Sequence, residues 1–181
     1  MRIISGEFKG RRIMAPKKLP VRPTTDMAKE ALFNILNNRY YFDEISVLDL
    51  FAGTGNISYE FASRGTESIV AVDQNLGCVK FINETAELFD MPIKSVKSEV
   101  FKYLEQSSQT HDIIFADPPY SFEDDLFSKI ATLVFENKLL AKNGTLIIEH
   151  SKHTDLSGLL NFNYSKHYGG NAFSFFTITE E

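Results

Sequence analysis

From residue 45 onward, short blocks of apolar residues alternate with stretches in which apolar positions recur every three or four residues. The first pattern predicts buried strands and the second amphipathic helices. Strands are expected over residues 45–50, 68–73, 93–97, 112–117 and 145–149, and helices over 57–64, 75–89, 99–107 and 124–136. Gly65 stands where the first of these helices should end. Repeated strand–helix units imply a parallel sheet covered on both faces, a three-layer α/β fold. The last segment breaks the rhythm: residues 163–168, the turn Gly169-Gly170-Asn171 and residues 172–178 read as a β-hairpin. The expected architecture is a seven-stranded, mostly parallel sheet with one antiparallel strand.

Before residue 45 the pattern differs. Gly6, Gly10, Pro16, Pro20 and Pro23 break up residues 1–25, which read as short strands or an extended arm. Asp26 is a candidate N-cap for a helix running to about Arg39, with Met27, Ala31, Leu32, Ile35 and Leu36 on its apolar face. No repeat or interdomain linker interrupts the chain. Residues 1–40 are therefore expected to be an arm and helix packed on a domain formed by residues 41–181.

The 181 residues carry a net charge of −5, which by itself argues against a nucleic-acid partner. The charge is unevenly placed, however. Residues 1–29 hold Arg2, Lys9, Arg11, Arg12, Lys17, Lys18, Arg22 and Lys29 against only Glu7 and Asp26. A basic strip on an acidic body can grip phosphates locally, so Arg2, Lys9, Arg11, Arg12, Lys17 and Arg22 are candidate RNA contacts.

Cys78 is the single cysteine, which excludes an intrachain disulfide and a thiolate metal cluster; it is expected to pack as a small buried hydrophobe. His111, His150, His153 and His167 form no convincing ligand set, and no metal is expected. No apolar run approaches the roughly 20 residues of a membrane helix, and the first residues lack a signal peptide's apolar middle, so a cytoplasmic location is expected.

Two motifs carry chemistry. Val47 to Asn56, VLDLFAGTGN, places a glycine-rich turn between an apolar strand and a helix. Glycines there let backbone approach a ligand, and the helix start offers unpaired N–H groups. A dinucleotide site usually reads G-x-G-x-x-G, but Ser58 stands at the third glycine position. Asp49, ahead of the turn, would repel a pyrophosphate yet suits the amino group of a methyl donor. Asp73 ends the next strand and suits ribose hydroxyls, and Glu99 follows the third strand toward an adenine edge. Asp49, Phe51, Gly53, Gly55, Asp73 and Glu99 thus form a candidate S-adenosylmethionine site.

The second motif, Asp117-Pro118-Pro119-Tyr120, follows the fourth strand and so shares the carboxyl edge of the sheet with the first. Two prolines remove two N–H groups and stiffen a turn whose carbonyls, with the Asp117 carboxylate, are all acceptors. Such a cage can hold an exocyclic amine of a nucleobase by both N–H bonds and aim its lone pair at an electrophilic methyl group. Tyr120, with Phe122 as a second candidate, can stack on the base. Guanine N2, adenine N6 and cytosine N4 all satisfy this cage. The combination fits the Rossmann-like class of amino methyltransferases.

The chain resembles the bacterial RsmD-type family in Met1 to Gly6, in Lys9-Gly10-Arg11-Arg12, in Arg22 to Asp26, in Glu30 to Leu36 and through to the final hairpin. That resemblance implies methylation of a guanine N2 amine in 16S ribosomal RNA, within the small subunit or an assembly intermediate, by a monomer. It also implies that Asp49, Gly53, Gly55, Asp73 and Glu99 line the donor site and Asp117 to Tyr120 the guanine site. Lys29 replaces the family's usual arginine and Glu99 its usual aspartate. The competing readings are a DNA adenine or cytosine amino methyltransferase, which would need a recognition insert that is not seen, and a cofactor-binding ribosome assembly protein without catalysis. A nicotinamide-dependent oxidoreductase is disfavoured by the missing third glycine and by the Asp117 motif.

Overall fold

A computed structural model describes residues 1–21 and 24–179. Among the described residues, seven strands form one sheet: β1 (Ser46–Leu50), β2 (Ser68–Asp73), β3 (Ile93–Lys97), β4 (His111–Ala116), β5 (Leu140–Ser151), β6 (Phe162–Tyr168) and β7 (Asn171–Thr177). Their spatial order is β3-β2-β1-β4-β5-β7-β6, and β7 alone runs opposite to the other six. The helices packed on it are α1 (Asp26–Asn37), α2 (Asn56–Ser63), α3 (Leu76–Leu88), α4 (Val100–Gln106) and α5 (Asp124–Glu136).

The period-2 alternation of strand side chains divides the core into two layers. Val47, Ala71, Ile113, Phe115, Ile147, Phe173 and Phe175 face α1, α2 and α3. Leu48, Leu50, Val72, Ile114, Ala116, Ile148 and Phe176 face α4 and α5. This is the expected three-layer arrangement, and the Phe173, Phe175 and Phe176 cluster packs as core.

Two local expectations are corrected. Strand β4 begins one residue earlier than expected and ends at Ala116, which leaves Asp117 in the turn rather than on the strand. In α1, Thr25 rather than Asp26 is the cap: its hydroxyl accepts from Ala28 N at 3.2 Å. The helix buries Ala28, Lys29, Leu32, Phe33 and Leu36, while Met27 is 66% exposed. The buried face is thus turned by about one residue, roughly 100°, from the one the apolar pattern predicts. Phe33 packs against Phe42 and Phe61, at ring centroid distances of 5.8 and 4.6 Å. Lys29 can take a core position because polar partners await it there.

Those partners are Asn56 and Glu60 on α2 together with a carbonyl of the N-terminal segment, which is a docked loop and not an extended arm. Ile3 N donates to Arg11 O and Ile13 N to Met1 O, both at 2.9 Å, and Ile3 and Ile13 are buried in the core shared with α1 and the sheet. The Glu60 carboxylate on α2 accepts from Ile4 N (2.9 Å), Ser5 N (3.1 Å) and Arg64 Nε (3.0 Å). Lys29 Nζ lies 3.4 Å from Glu60 Oε2 and donates to Arg2 O (2.6 Å) and Asn56 Oδ1 (2.9 Å). Burial lowers the Lys29 pKa, and the facing Glu60 charge offsets part of that shift. Gly6, at φ +87°, presses against α2 so closely that a Cβ would stand 1.9 Å from Ser63 O.

Candidate active site

In this topology strand order reverses between β1 and β4, and ligands of open α/β sheets bind outside the carboxyl ends of the strands at such a point. A cavity of about 610 Å³ opens there. Its walls are the loops leaving β1, β2, β3 and β4, and they bring together Asp49, Phe51, Gly53, Asp73, Glu99 and Asp117 to Tyr120. The two motifs are also joined directly, since Asp117 N donates to Leu50 O across the β1–β4 pair at 3.4 Å.

The glycine loop is shaped by unusual backbone. Phe51, Gly53 and Gly55 have φ of +55°, +57° and +89°. A Cβ at Gly55 would meet the Tyr59 ring at 2.7 Å, so this residue turns the chain into α2 against a packed aromatic. Asp73 holds the loop from the neighbouring strand: Oδ2 accepts from Gly53 N at 2.9 Å and Oδ1 from Asn75 N at 2.8 Å. Each oxygen keeps a second lone pair for a ligand hydroxyl.

Asp49 is buried and accepts from Ser58 Oγ at 2.6 Å, so Ser58 anchors the acid from the position where a dinucleotide site would have glycine. Burial, opposed by the Ser58 hydrogen bond and reinforced by the Asp73 charge, pushes the Asp49 carboxyl up to about 7. Glu99 caps α4, accepting from Phe101 N at 3.0 Å and Lys102 N at 2.9 Å while still lining the cavity. Its carboxylate is therefore first a helix cap, a role that its place before 100–106 did not reveal.

The lining tests what ligand fits. Four carboxylates, Asp49, Asp73, Glu99 and Asp117, lie along the cavity, and no lysine, arginine or histidine is among its described lining residues. That set of acceptors suits a cationic ligand bearing amine and hydroxyl groups and disfavours a polyphosphate. Among the described residues no group of three or more His, Cys, Asp or Glu side chains is arranged to hold a metal ion. His150 is satisfied in place, by Ser151 O and Ser174 Oγ, each at 2.7 Å.

At the clamp, Tyr120 is 58% exposed and its ring stands at the cavity mouth. Phe122 is placed differently: it packs edge-on to Phe51 (centroids 5.3 Å apart), stacks on Phe101 (6.0 Å) and meets Phe127 (5.7 Å). The expectation that it stacks on a base is corrected, because its faces already form an aromatic wall between the two motifs.

The basic residues fall on one docked segment. Arg2 pairs with Asp26 at 3.3 Å, Arg11 lies over the Phe89 ring at 4.8 Å, and Lys9, Arg12 and Lys17 are exposed. Arg22 lies outside the described residues.

Sequence reasoning missed Thr24, Glu149 and Asn171. Thr24 Oγ1 donates to Glu149 Oε2 at 2.9 Å, and the Thr24 carbonyl accepts from Asn56 Nδ2 at 3.2 Å. The N-terminal segment thus ties the helix of the glycine loop to the end of β5 beside the clamp. Two sequence signals point this way, a glutamate inside an apolar strand and an asparagine closing a Gly-Gly turn, but neither names its partner.

A family model described as conserved hypothetical protein 95 matches residues 1–177. The ribosomal RNA small subunit methyltransferase D of Escherichia coli K12 is 31% identical over 150 residues, covering 82% of this chain and 74% of that protein. The protein of the same name from Haemophilus influenzae is 30% identical, covering 86% of this chain and 81% of its own. Among solved structures, Escherichia coli yhhF superposes with a TM-score of 0.85 at 27% identity, over 97% of this chain and 96% of that one. The Thermus thermophilus 16S rRNA N2 G1207 methyltransferase RsmC, solved with AdoMet and guanosine, matches at a TM-score of 0.68 and 21% identity, over 87% of this chain and 44% of its own; that likeness is one of fold.

Proposed function

The chain belongs to the family described as conserved hypothetical protein 95, and on that premise we propose that it transfers a methyl group from S-adenosylmethionine to the N2 amine of a guanine in 16S ribosomal RNA. The observation that carries this reading is the juxtaposition of the two motifs: the Asp117-Pro118-Pro119-Tyr120 turn, whose two prolines lack N–H groups and which offers the Asp117 carboxylate and its carbonyls as acceptors, stands at the wall of a cavity lined by carboxylates. Relatives at about 30% identity named for small-subunit ribosomal RNA support the RNA class of substrate.

When bound, S-adenosylmethionine supplies an electrophilic methyl group on a sulfonium. In this reading Asp73 would take its ribose hydroxyls, Asp49 its ammonium and Glu99 the adenine side, with Phe51 and the Gly53–Gly55 backbone allowing close approach. The Asp117 carboxylate and the Pro118 carbonyl accept the two N–H bonds of the guanine amine, and Tyr120 stacks on the ring. With both N–H bonds held, the nitrogen lone pair is directed at the methyl carbon. A bound S-adenosylmethionine would supply the methyl carbon, its C–S bond breaking as the N–C bond formed, and Asp117 or solvent would take the amine proton. Positioning of this kind can contribute about 7–11 kcal/mol in favourable cases.

Asp49 makes donor binding pH-dependent. A carboxyl at about 7 is half protonated at neutral pH, and an ammonium placed beside it favours the ionised form, so binding releases a proton. Affinity for S-adenosylmethionine is expected to rise about three- to tenfold from pH 6 to pH 8, and Asp49→Asn should flatten that rise. Calorimetry in buffers of different ionisation enthalpy measures both; a wild-type affinity independent of pH would contradict the placement. The effect on stability has the opposite sense. A raised native pKa gives a contribution that is full below the ordinary carboxyl value of 3.8 and is lost as pH rises through about 7.

Residues 1–40 are assigned the RNA-facing role, with Arg2, Lys9, Arg11, Arg12, Lys17 and Arg22 on phosphates, and residues 41–181 the transfer chemistry. The reading is tested by offering labelled methyl donor to naked 16S RNA and to small subunits lacking the modification, then mapping the product base. N2-methylguanine in either supports it, and preference for subunits assigns the assembled particle as substrate. Incorporation into neither, with RNA still bound, would favour a non-catalytic assembly role. In the same assay, replacing Arg11, Arg12 and Lys17 with glutamine should weaken RNA binding and reduce the slope of log K against log salt by about 0.7–0.9 for each phosphate no longer neutralised.

A further inference from the structure

Asn171 opens β7 directly after the Gly169-Gly170 turn, and the β5–β7 register sets it opposite Ser151 at the carboxyl edge of the sheet. Its Nδ2 donates to Glu149 Oε1 at 3.0 Å, and both its amide atoms lie 3.4 Å from Tyr120 Oη. Asn171 and Glu149 line a hollow of about 30 Å³ together with Asp117, Pro118, Pro119 and Tyr120, the residues that also wall the large cavity.

The amide orientation follows from chemistry. Glu149 is 4% exposed, and its other oxygen accepts from Thr24 Oγ1. A carboxylate only accepts, so the amide nitrogen must face Glu149, and Oδ1 points away from Glu149 while lying 3.4 Å from Tyr120 Oη at the edge of the clamp. The edge of the clamp therefore presents an acceptor with a lone pair beyond the one that Tyr120 Oη can use.

The clamp alone cannot choose a base, because guanine N2, adenine N6 and cytosine N4 each offer two N–H bonds. They differ at the adjacent ring nitrogen. Guanine N1 carries a hydrogen and donates, whereas adenine N1 and cytosine N3 carry a lone pair and accept.

We propose that Asn171 is a specificity-determining residue whose Oδ1, oriented by Glu149, accepts the N1–H of the target guanine while the clamp holds N2. An adenine or cytosine bound by its amine would set a ring lone pair against Oδ1 and be rejected. The proposal rests on the guanine reading above and adds the group that selects it.

The test uses the full chain and small subunits after the target base has been mapped. A mapped adenine or cytosine would overturn the guanine reading itself, at a step before Asn171 is varied. With guanine mapped, subunits are rebuilt carrying either guanosine or 1-methylguanosine at that position, and binding is measured. Wild type should prefer guanosine by roughly 10- to 100-fold, since the methylated base has no N1–H to give. In Asn171→Ala the two should bind within about twofold of each other, with S-adenosylmethionine affinity unchanged and kcat/KM on guanosine subunits lowered roughly 10- to 100-fold. Asn171→Ser, which also withdraws the amide, should behave alike and guards against a folding defect in the alanine variant. If Asn171 only steadied Tyr120, wild type and variants would discriminate against 1-methylguanosine equally; that result, or a wild type that does not discriminate, overturns the proposal.

Discussion

Asp117→Ala is expected to lower kcat for methyl transfer by at least about 10³-fold while leaving S-adenosylmethionine affinity within about twofold of wild type. The asymmetry comes from where Asp117 sits. It stands in the turn after β4, on the cavity wall where the proposed clamp holds the amine, and the glycine loop is held without it by Asp73. Removing one preorganised acceptor of a developing charge typically costs about 10²–10³ in turnover. Here the change also lets the amine rotate its lone pair away from the methyl group. Asp117→Asn should fall between, because an amide oxygen accepts one N–H bond but carries no charge to disperse the departing proton. Single-turnover transfer to unmodified subunits, with calorimetric donor binding on the same preparations, reads both quantities. Turnover within tenfold of wild type for Asp117→Ala would sink the clamp mechanism.

Glu60→Ala should be the most destabilising single change outside the apolar core, at about 3–5 kcal/mol. That corresponds to a fall in Tm of roughly 6–20 °C for a chain of this size. Glu60 is fully buried and receives Ile4 N, Ser5 N and Arg64 Nε while facing Lys29 Nζ. Without it a buried ammonium is left with only Arg2 O and Asn56 Oδ1, and two backbone donors have no acceptor. Lys29→Met should cost less, because Glu60 keeps Arg64 and both N–H groups. Urea and thermal unfolding measure the two variants, and a cost below about 1 kcal/mol for Glu60→Ala would contradict the pairing. The expected functional companion is weaker RNA binding, since the docked loop carries Arg2, Lys9, Arg11 and Arg12.

The inner parallel strands were legible because both faces are buried, which leaves apolar blocks such as 68–73 and 112–117 with little ambiguity. The two motifs were legible because each lies at a strand end, where topology alone brings Asp49, Asp73 and Asp117 to one edge. What was not legible depends on partners distant in sequence. The α1 face was misread because Lys29 counts as polar until Glu60, 31 residues away, makes its burial possible. Phe122 read as a candidate stacking ring because nothing local shows that Phe51 and Phe101 occupy it. The basic segment read as an arm because the acceptors of its backbone, Glu60 and Ser63, lie on a helix that follows the first strand. Asn171 read as a turn residue, whereas it pairs with Tyr168 as the first residue of β7.

Strand β7 lies between β5 and β6, yet both neighbours are made before it. During synthesis the β5 edge, from Thr145 to Ser151, must wait unpaired until residues 171–177 emerge. An open apolar edge is a template for wrong pairing, so the nascent chain is most exposed to aggregation late in its manufacture. The same delay is protective. A chain interrupted before β7 lacks the buried Phe173, Phe175 and Phe176 together with Asn171, so prematurely terminated products would have neither a completed core nor the residue assigned to choosing the base.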